Sequence, residues 1–230
     1  MTELIISLET ENLQKTSKLV DCIGKSGIYY KVGLPLFVKE GPAIITFLHA
    51  KEKKVFLDLK FFDIPTVVER ALVAAGELGV FMVNFHALAG EETLKKIALV
   101  KKKFNKTKFI GVTLLTSFSE GELREEKFLS KDETLLDRVL FLSQKVHDAG
   151  LDGVVASVQE TQAIKKRCGK DFTVVTPGIR LKLATDDQKR VATVKDAVKQ
   201  GSDFIVVGRP ITEAPDPQKS TQEFLKELRK

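Results

Sequence analysis

Tryptophan is missing from this chain of 230 residues, and cysteine, methionine and histidine are scarce at two, two and three. The cysteines, Cys22 and Cys168, stand far apart in segments whose periodicity reads as helical, and the opening "MTELIISLETEN" carries only a short apolar run rather than a secretory signal. A reduced, cytoplasmic protein is therefore expected. His49, His86 and His147 are scattered without paired-ligand spacing, so no metal site is expected. No apolar stretch approaches the roughly 18 residues that a membrane-spanning helix needs. Neither GxSxG nor GxGxxG occurs, which removes two common nucleophile and dinucleotide signatures. Low-complexity tracts and linkers rich in proline, glycine and serine are absent as well, so residues 1–230 read as one domain.

What is present is a chain with 43% hydrophobic residues and a net charge of +6. The positive balance invites a nucleic-acid reading, and basic clusters occur at 51–54, 95–108 and 164–170. In the helical clusters the lysines are spaced by apolar residues that would face a core, and no aromatic residues are interleaved as stacking platforms. Solvated outer faces that steer small anions are the expectation, without nucleic-acid binding.

Short β-rich runs alternate with amphipathic segments along the whole length. Eight strands are expected, at 4–9, 28–33, 54–60, 81–87, 108–115, 151–157, 172–177 and 203–209. Stretches such as "PTVVERALVAAGELG" and "ETLLDRVLFLSQKVHDAG" carry apolar residues at helical spacing, and several close on glycine. Eight such units predict a closed (β/α)8 TIM barrel, with an open doubly wound sheet as the alternative. Active sites of such barrels lie at the carboxyl ends of the strands. Polar residues gather there in this sequence: Glu9, Lys31, Asp58 with Lys60, His86, Thr113 to Thr116, Ser157, Thr176 and Arg209. Two connections are long, 116–134 and 178–193, and the second, of mixed charge, is the candidate lid.

The segment "VFLDLKFFDIP" (55–65) holds the densest chemistry. Strand alternation puts Phe56, Asp58 and Lys60 on one side and Val55, Leu57 and Leu59 on the other. Asp63 suits the N-cap of the next helix, with Pro65 in its first turn. A surface ion pair of Asp58 and Lys60 would be worth little, whereas an inward pair near a barrel mouth costs desolvation and calls for a purpose. Opposite charges favour the ammonium form of a lysine held between carboxylates. Such a lysine suits proton donation beside developing negative charge rather than Schiff-base chemistry. The neighbouring aspartate repels a substrate anion, by about 4 kcal/mol at 4 Å and an effective dielectric near 20. An intermediate that has lost its carboxylate escapes that repulsion.

"VTPGIR" ends strand seven with Pro177 and Gly178, and "FIVVGRPIT" ends strand eight with Gly208 and Arg209. The loops after these two strands often bind phosphate in barrels, and arginine adds a bidentate fork.

Taken in order and spacing, "FLDLKFFDIP", "YKVGLPLF", "VNFHA", "VTLLTS", "GLDGVVAS", "VTPGIR", "DDQKRV" and "VVGRPI" make the chain similar, over essentially its whole length, to the orotidine 5′-phosphate decarboxylases, which make uridine monophosphate. The resemblance implies a homodimer with a site at each barrel mouth, and neither metal nor organic cofactor. It matches Lys60 to the lysine that stabilises and protonates the C6 carbanion, and Asp58 to the aspartate beside the departing carboxylate. Lys31 matches the lysine that contacts ribose and orders the charges. Asp63 and Ile64 match residues that reach the partner's site. Thr116 and Pro177 are matched to the pyrimidine pocket, and Gln188 and Arg209 to the phosphate ligands. Apart from the resemblance, His86 at the end of strand four reads either as a site-lining residue or as a hydrogen-bonded structural histidine, and Gly208 as part of the phosphate turn. Residues 179–190 match the family's phosphate gripper.

Three positions depart from the family pattern. Glu9 stands where an aspartate that binds ribose is usual, Val67 replaces a threonine near the ribose, and Ala89 replaces a glycine. Glu9 and Val67 motivate a second reading, a phosphoribosyl-ligand binding protein without catalysis. A metal-dependent sugar-phosphate lyase or epimerase on the same barrel is a third.

Overall fold

Alternating apolar side chains make the β-rich runs into strands because one face packs inside a barrel and the other meets the helices. The computed structural model describes residues 1–181 and 191–230. Its strands are β1 (Glu3–Leu8), β2 (Tyr29–Gly33), β3 (Lys54–Phe61), β4 (Met82–His86), β5 (Lys108–Val112), β6 (Gly153–Val155), β7 (Thr173–Thr176), β8 (Ile179–Arg180), β9 (Ala192–Thr193) and β10 (Phe204–Val207). All but β8 and β9 close into a parallel barrel in the order β1-β10-β7-β6-β5-β4-β3-β2, with β1 paired to both β10 and β2. The expected TIM barrel is observed. Every expected strand is present, and several stop short of the carboxyl end read from the sequence. There the chain leaves the ladder to form the loops of the mouth.

Ile5, Phe56, Met82, Ile110, Val175, Phe204 and Val206 fill the barrel interior. Leu57, Val83, Phe85, Phe109, Val174 and Ile205 face outward into a second layer with helix residues such as Leu72, Ile97, Val146 and Phe224. At the amino-terminal end Tyr29, Phe81 and Phe204 meet with ring centroids 5.0 to 5.8 Å apart, and Lys54 lies 5.0 Å over the Tyr29 ring. This aromatic floor leaves the carboxyl end as the open mouth. Two aspartates tie the same lower rim. Asp152 accepts the Phe109 N–H at 2.8 Å and pairs with Lys101, and Asp203 accepts the Val174 N–H at 2.7 Å and pairs with Lys165.

The helices largely follow the expected positions, including Pro65–Glu77, Leu135–Asp148 and Pro217–Leu228. Two short helices between β2 and β3, Leu34–Glu40 and Ala43–Ala50, were not legible as a pair. Gly41, at φ 58°, and Pro42 break what would otherwise be one apolar run. The long connection after β5 contains the helix Glu120–Glu125, started by a Ser119–Glu122 capping box. Strands β8 and β9 pair with each other and bring the two ends of the candidate lid together. Among the described residues no helix is long and apolar enough to cross a membrane.

Barrel closure depends on a close approach at Gly153, where a Cβ would overlap the Thr173 backbone carbonyl oxygen on β7. Relief requires moving a strand rather than a side chain. Gly153→Ala should therefore cost about 1–3 kcal/mol and lower the thermal midpoint by roughly 2–4 °C for each of them. An unchanged midpoint in calorimetry would show that the strands separate freely there.

Candidate active site

Side chains that alternate inward along the strands reach the mouth as a ring, and between them lies a cavity of about 450 Å3. Phe56, Val155 and Val206 form its base. Around it stand Glu9, Lys31, Asp58, Lys60, Thr116, Pro177, Gly178, Arg180, Gly208 and Arg209. Among the described residues that line it, four are cations and two are carboxylates, a balance that suits a phosphorylated anion.

Asp58 is the centre of the arrangement and is only 7% exposed. Its Oδ2 lies 3.0 Å from Lys31 Nζ and its Oδ1 lies 2.6 Å from Lys60 Nζ. Asn84 Nδ2 donates to the same Oδ1 at 2.6 Å. On β2, Gly33 is the residue paired with Asp58, and a Cβ there would lie 3.2 Å from Lys31 Nζ. A side chain in place of this glycine would crowd the lysine as it reaches its partner. Burial pushes the Asp58 carboxyl up, but the charges of Lys31 and Lys60, with the hydrogen bonds from Lys60 and Asn84, outweigh it and hold the group down at about 2.

Lys60 departs from regular strand geometry. Its φ of 49° is left-handed, a conformation that costs a non-glycine residue about 1–2 kcal/mol. Strand β3 is irregular at this point, for Leu57 pairs with Val83 and Phe61 with Phe85, so four steps along β3 oppose two along β4. The Lys60 N–H donates to Asn84 Oδ1 at 2.8 Å.

Of the residues expected from the sequence, the structure brings Glu9, Lys31, Asp58, Lys60, Thr116, Pro177, Gly208 and Arg209 around one cavity. Glu9 accepts from Ser7 Oγ at 3.4 Å and lies against Gly208, where a Cβ would collide with its carboxylate. His86 lies beside the array rather than on the cavity wall. Its ring is 5.3 Å from that of Phe62, and burial, then Lys60, lower its pKa. Its buried Nδ1 has no hydrogen-bond partner among the described residues. Asp63 and Ile64 are exposed and do not line the cavity.

The expected N-cap role of Asp63 is corrected. Ile64 is the cap residue of Pro65–Glu77, with no side-chain cap bond, because the helix begins directly at Pro65. The Asp63 carboxylate instead accepts the Ile64 N–H at 2.6 Å. Gln188 lies outside the described residues. Sequence reasoning did not single out Asn84 or Arg180. The first carried a signal, an amide at an inward position of an apolar strand. The second is two residues past Gly178 in a loop that follows a barrel strand.

Because the Asp58 pKa is depressed on folding, from about 3.9 in an unfolded chain, its contribution to stability is present above about pH 4. It is lost as the pH falls toward about 2. The contribution is on the order of 2 kcal/mol. In denaturant titrations, the stability advantage of the wild type over Asp58→Asn should be largest near neutrality and vanish near pH 2. An advantage that is constant with pH would contradict the ionised, doubly paired carboxylate.

Known proteins resemble this chain in both sequence and fold. The profile of the orotidine 5′-phosphate decarboxylase / HUMPS family matches residues 2–224. An orotidine 5′-phosphate decarboxylase of Legionella pneumophila (strain Paris) is 43% identical over 229 residues, covering 98% of this chain and 99% of that protein. The enzyme of the same name from Carboxydothermus hydrogenoformans is also 43% identical, covering 98% of this chain and 95% of that one. The crystal structure of orotidine 5′-phosphate decarboxylase from Lactobacillus acidophilus superposes with a TM-score of 0.87 at 33% identity, covering all of both chains. The barrel fold and the near-complete coverage agree, and the chain belongs to the orotidine 5′-phosphate decarboxylase / HUMPS family.

Proposed function

We propose that the protein decarboxylates orotidine 5′-phosphate to uridine 5′-phosphate in pyrimidine biosynthesis, using neither metal nor organic cofactor. The observation that carries this reading is the buried Asp58 carboxylate held between the ammonium groups of Lys31 and Lys60 on the wall of the cavity at the barrel mouth. In the reading, Arg209, Gly208 and Gln188 take the phosphate, Glu9 and Lys31 the ribose, and Thr116 and Pro177 the pyrimidine. The substrate carboxylate is then set against Asp58. Repulsion between the two anions acts on the bound substrate and disappears once carbon dioxide has left, so it favours the transition state over the ground state. The C6–carboxylate bond breaks with its electron pair remaining on C6. The Lys60 ammonium stabilises that pair and then donates its proton to it, and solvent returns the proton. Closure of residues 179–190 over the phosphate would exclude water and strengthen these interactions.

The proposed assembly is a cytoplasmic homodimer in which Asp63 and Ile64 reach the partner's site. Exposed apolar side chains at Leu34, Val38, Phe62, Ile64 and Val67 support an interface on this side of the mouth. Residues 1–230 are proposed to act as one domain.

The activity is followed by the loss of substrate ultraviolet absorbance with and without a chelator. Turnover that survives chelation supports the reading, and nucleotide binding without turnover favours the non-catalytic alternative. Sugar-phosphate activity that a chelator abolishes favours a metal-dependent lyase. Lys60→Ala should reduce kcat by on the order of 10²–10⁴-fold while the protein stays folded and binds uridine monophosphate. A rate near that of the wild type would remove Lys60 from its role. Arg209→Ala should chiefly raise KM, by roughly 10–100-fold for the loss of charged hydrogen bonds. An unchanged KM would contradict the phosphate assignment.

A further inference from the structure

We propose that Asn84 is the positioning residue of the charge array, one amide that fixes both the Asp58 carboxylate and the backbone of Lys60. The inference rests on the decarboxylase reading and extends it to a residue with no substrate contact assigned.

Three observations converge on Asn84. It is 1% exposed at an inward position of β4, between Met82 and His86, where an unsatisfied amide would be costly. Both ends of the amide are used, Nδ2 by Asp58 Oδ1 and Oδ1 by the Lys60 N–H. The partners dictate the orientation, since an ionised carboxylate only accepts and a backbone N–H only donates. Finally, the irregular pairing puts two extra β3 residues opposite Asn84, and Lys60 is in a left-handed conformation there. An amide at 84 supplies the acceptor that the distorted ladder does not, and so holds the strained residue that carries the ammonium.

The geometry makes the amide specific. Alanine would leave the Lys60 N–H without its acceptor and Asp58 without one donor. Aspartate at this position, when ionised, would still accept from Lys60 but place a second carboxylate against Asp58. When protonated it would reproduce both bonds, its O–H donating to Asp58 and its carbonyl oxygen accepting from Lys60. Among the described residues, the charged or titratable groups of the array and its surroundings are Lys31 on β2, Asp58 and Lys60 on β3 and His86 on β4, with Glu9, Arg180 and Arg209 on the adjoining cavity wall.

The test compares the wild type, Asn84→Ala, Asn84→Asp and Lys60→Ala for kcat, KM, uridine monophosphate affinity and thermal midpoint, across pH. Asn84→Ala is expected to lose about 10–100-fold in kcat, the range for one misplaced reacting group, with uridine monophosphate affinity little changed. Asn84→Asp is expected to show a kcat that falls as pH rises, a limb that the wild type lacks, because its carboxyl must be protonated to donate. Wild-type kcat in Asn84→Ala, or the wild-type pH profile in Asn84→Asp, overturns the assignment. So does a kcat loss matched by an equal loss of nucleotide affinity, which marks a merely structural residue. A wild type that does not decarboxylate, or a Lys60→Ala that does so normally, overturns the parent reading and this assignment with it.

Discussion

A carboxylate kept ionised inside the protein is the constraint on which the mouth of this barrel depends. Taking Asp58 out of water is unfavourable, and only the two ammonium groups and the amide around it make the charged form the stable one. That requirement fixes much else. Lys31 has to reach past a glycine, β3 has to bulge, and Lys60 has to adopt a backbone conformation that a lysine rarely takes. The strain is held at the one place where a cation has to stand at a set distance from an anion, as expected of functional sites rather than of structural ion pairs.

The barrel makes this local tension sustainable. Its interior is apolar below the site, and its outer layer packs strands and helices into one continuous core. Rigid strands carry Lys31, Asp58 and Asn84, whereas Thr116, Pro177 and Arg209 lie just beyond strand ends. Charge placement therefore belongs to the ladder, and under the proposed reading ligand grip belongs to the loops, a division seen generally in such folds.

Much of this was legible from residue order. Period-two alternation placed Asp58 and Lys60 together on the inner face and Leu57 on the outer, and the count of strand and helix runs gave the barrel. The bulge was not legible, because it depends on which β4 residue faces the extra residues of β3. A sequence does not state that register. Asn84 escaped notice for the same reason, since an amide has no chemical signature until its neighbours are known. Asp63 was misplaced by one step at a helix start, where an aspartate just before Ile-Pro satisfies the cap pattern yet the observed cap is Ile64. Outside the family resemblance, nothing in the pattern of residues distinguished the exposed Ile64 from ordinary surface.

The aromatic floor has a consequence for traffic. With Tyr29, Phe81 and Phe204 packed together at the far end, the cavity among the described residues opens at the mouth. Under the proposed chemistry, carbon dioxide is born beneath the nucleotide and has no rear exit, so it escapes past its co-product or waits for that co-product to leave. Under that reading, departure is a queue set by architecture.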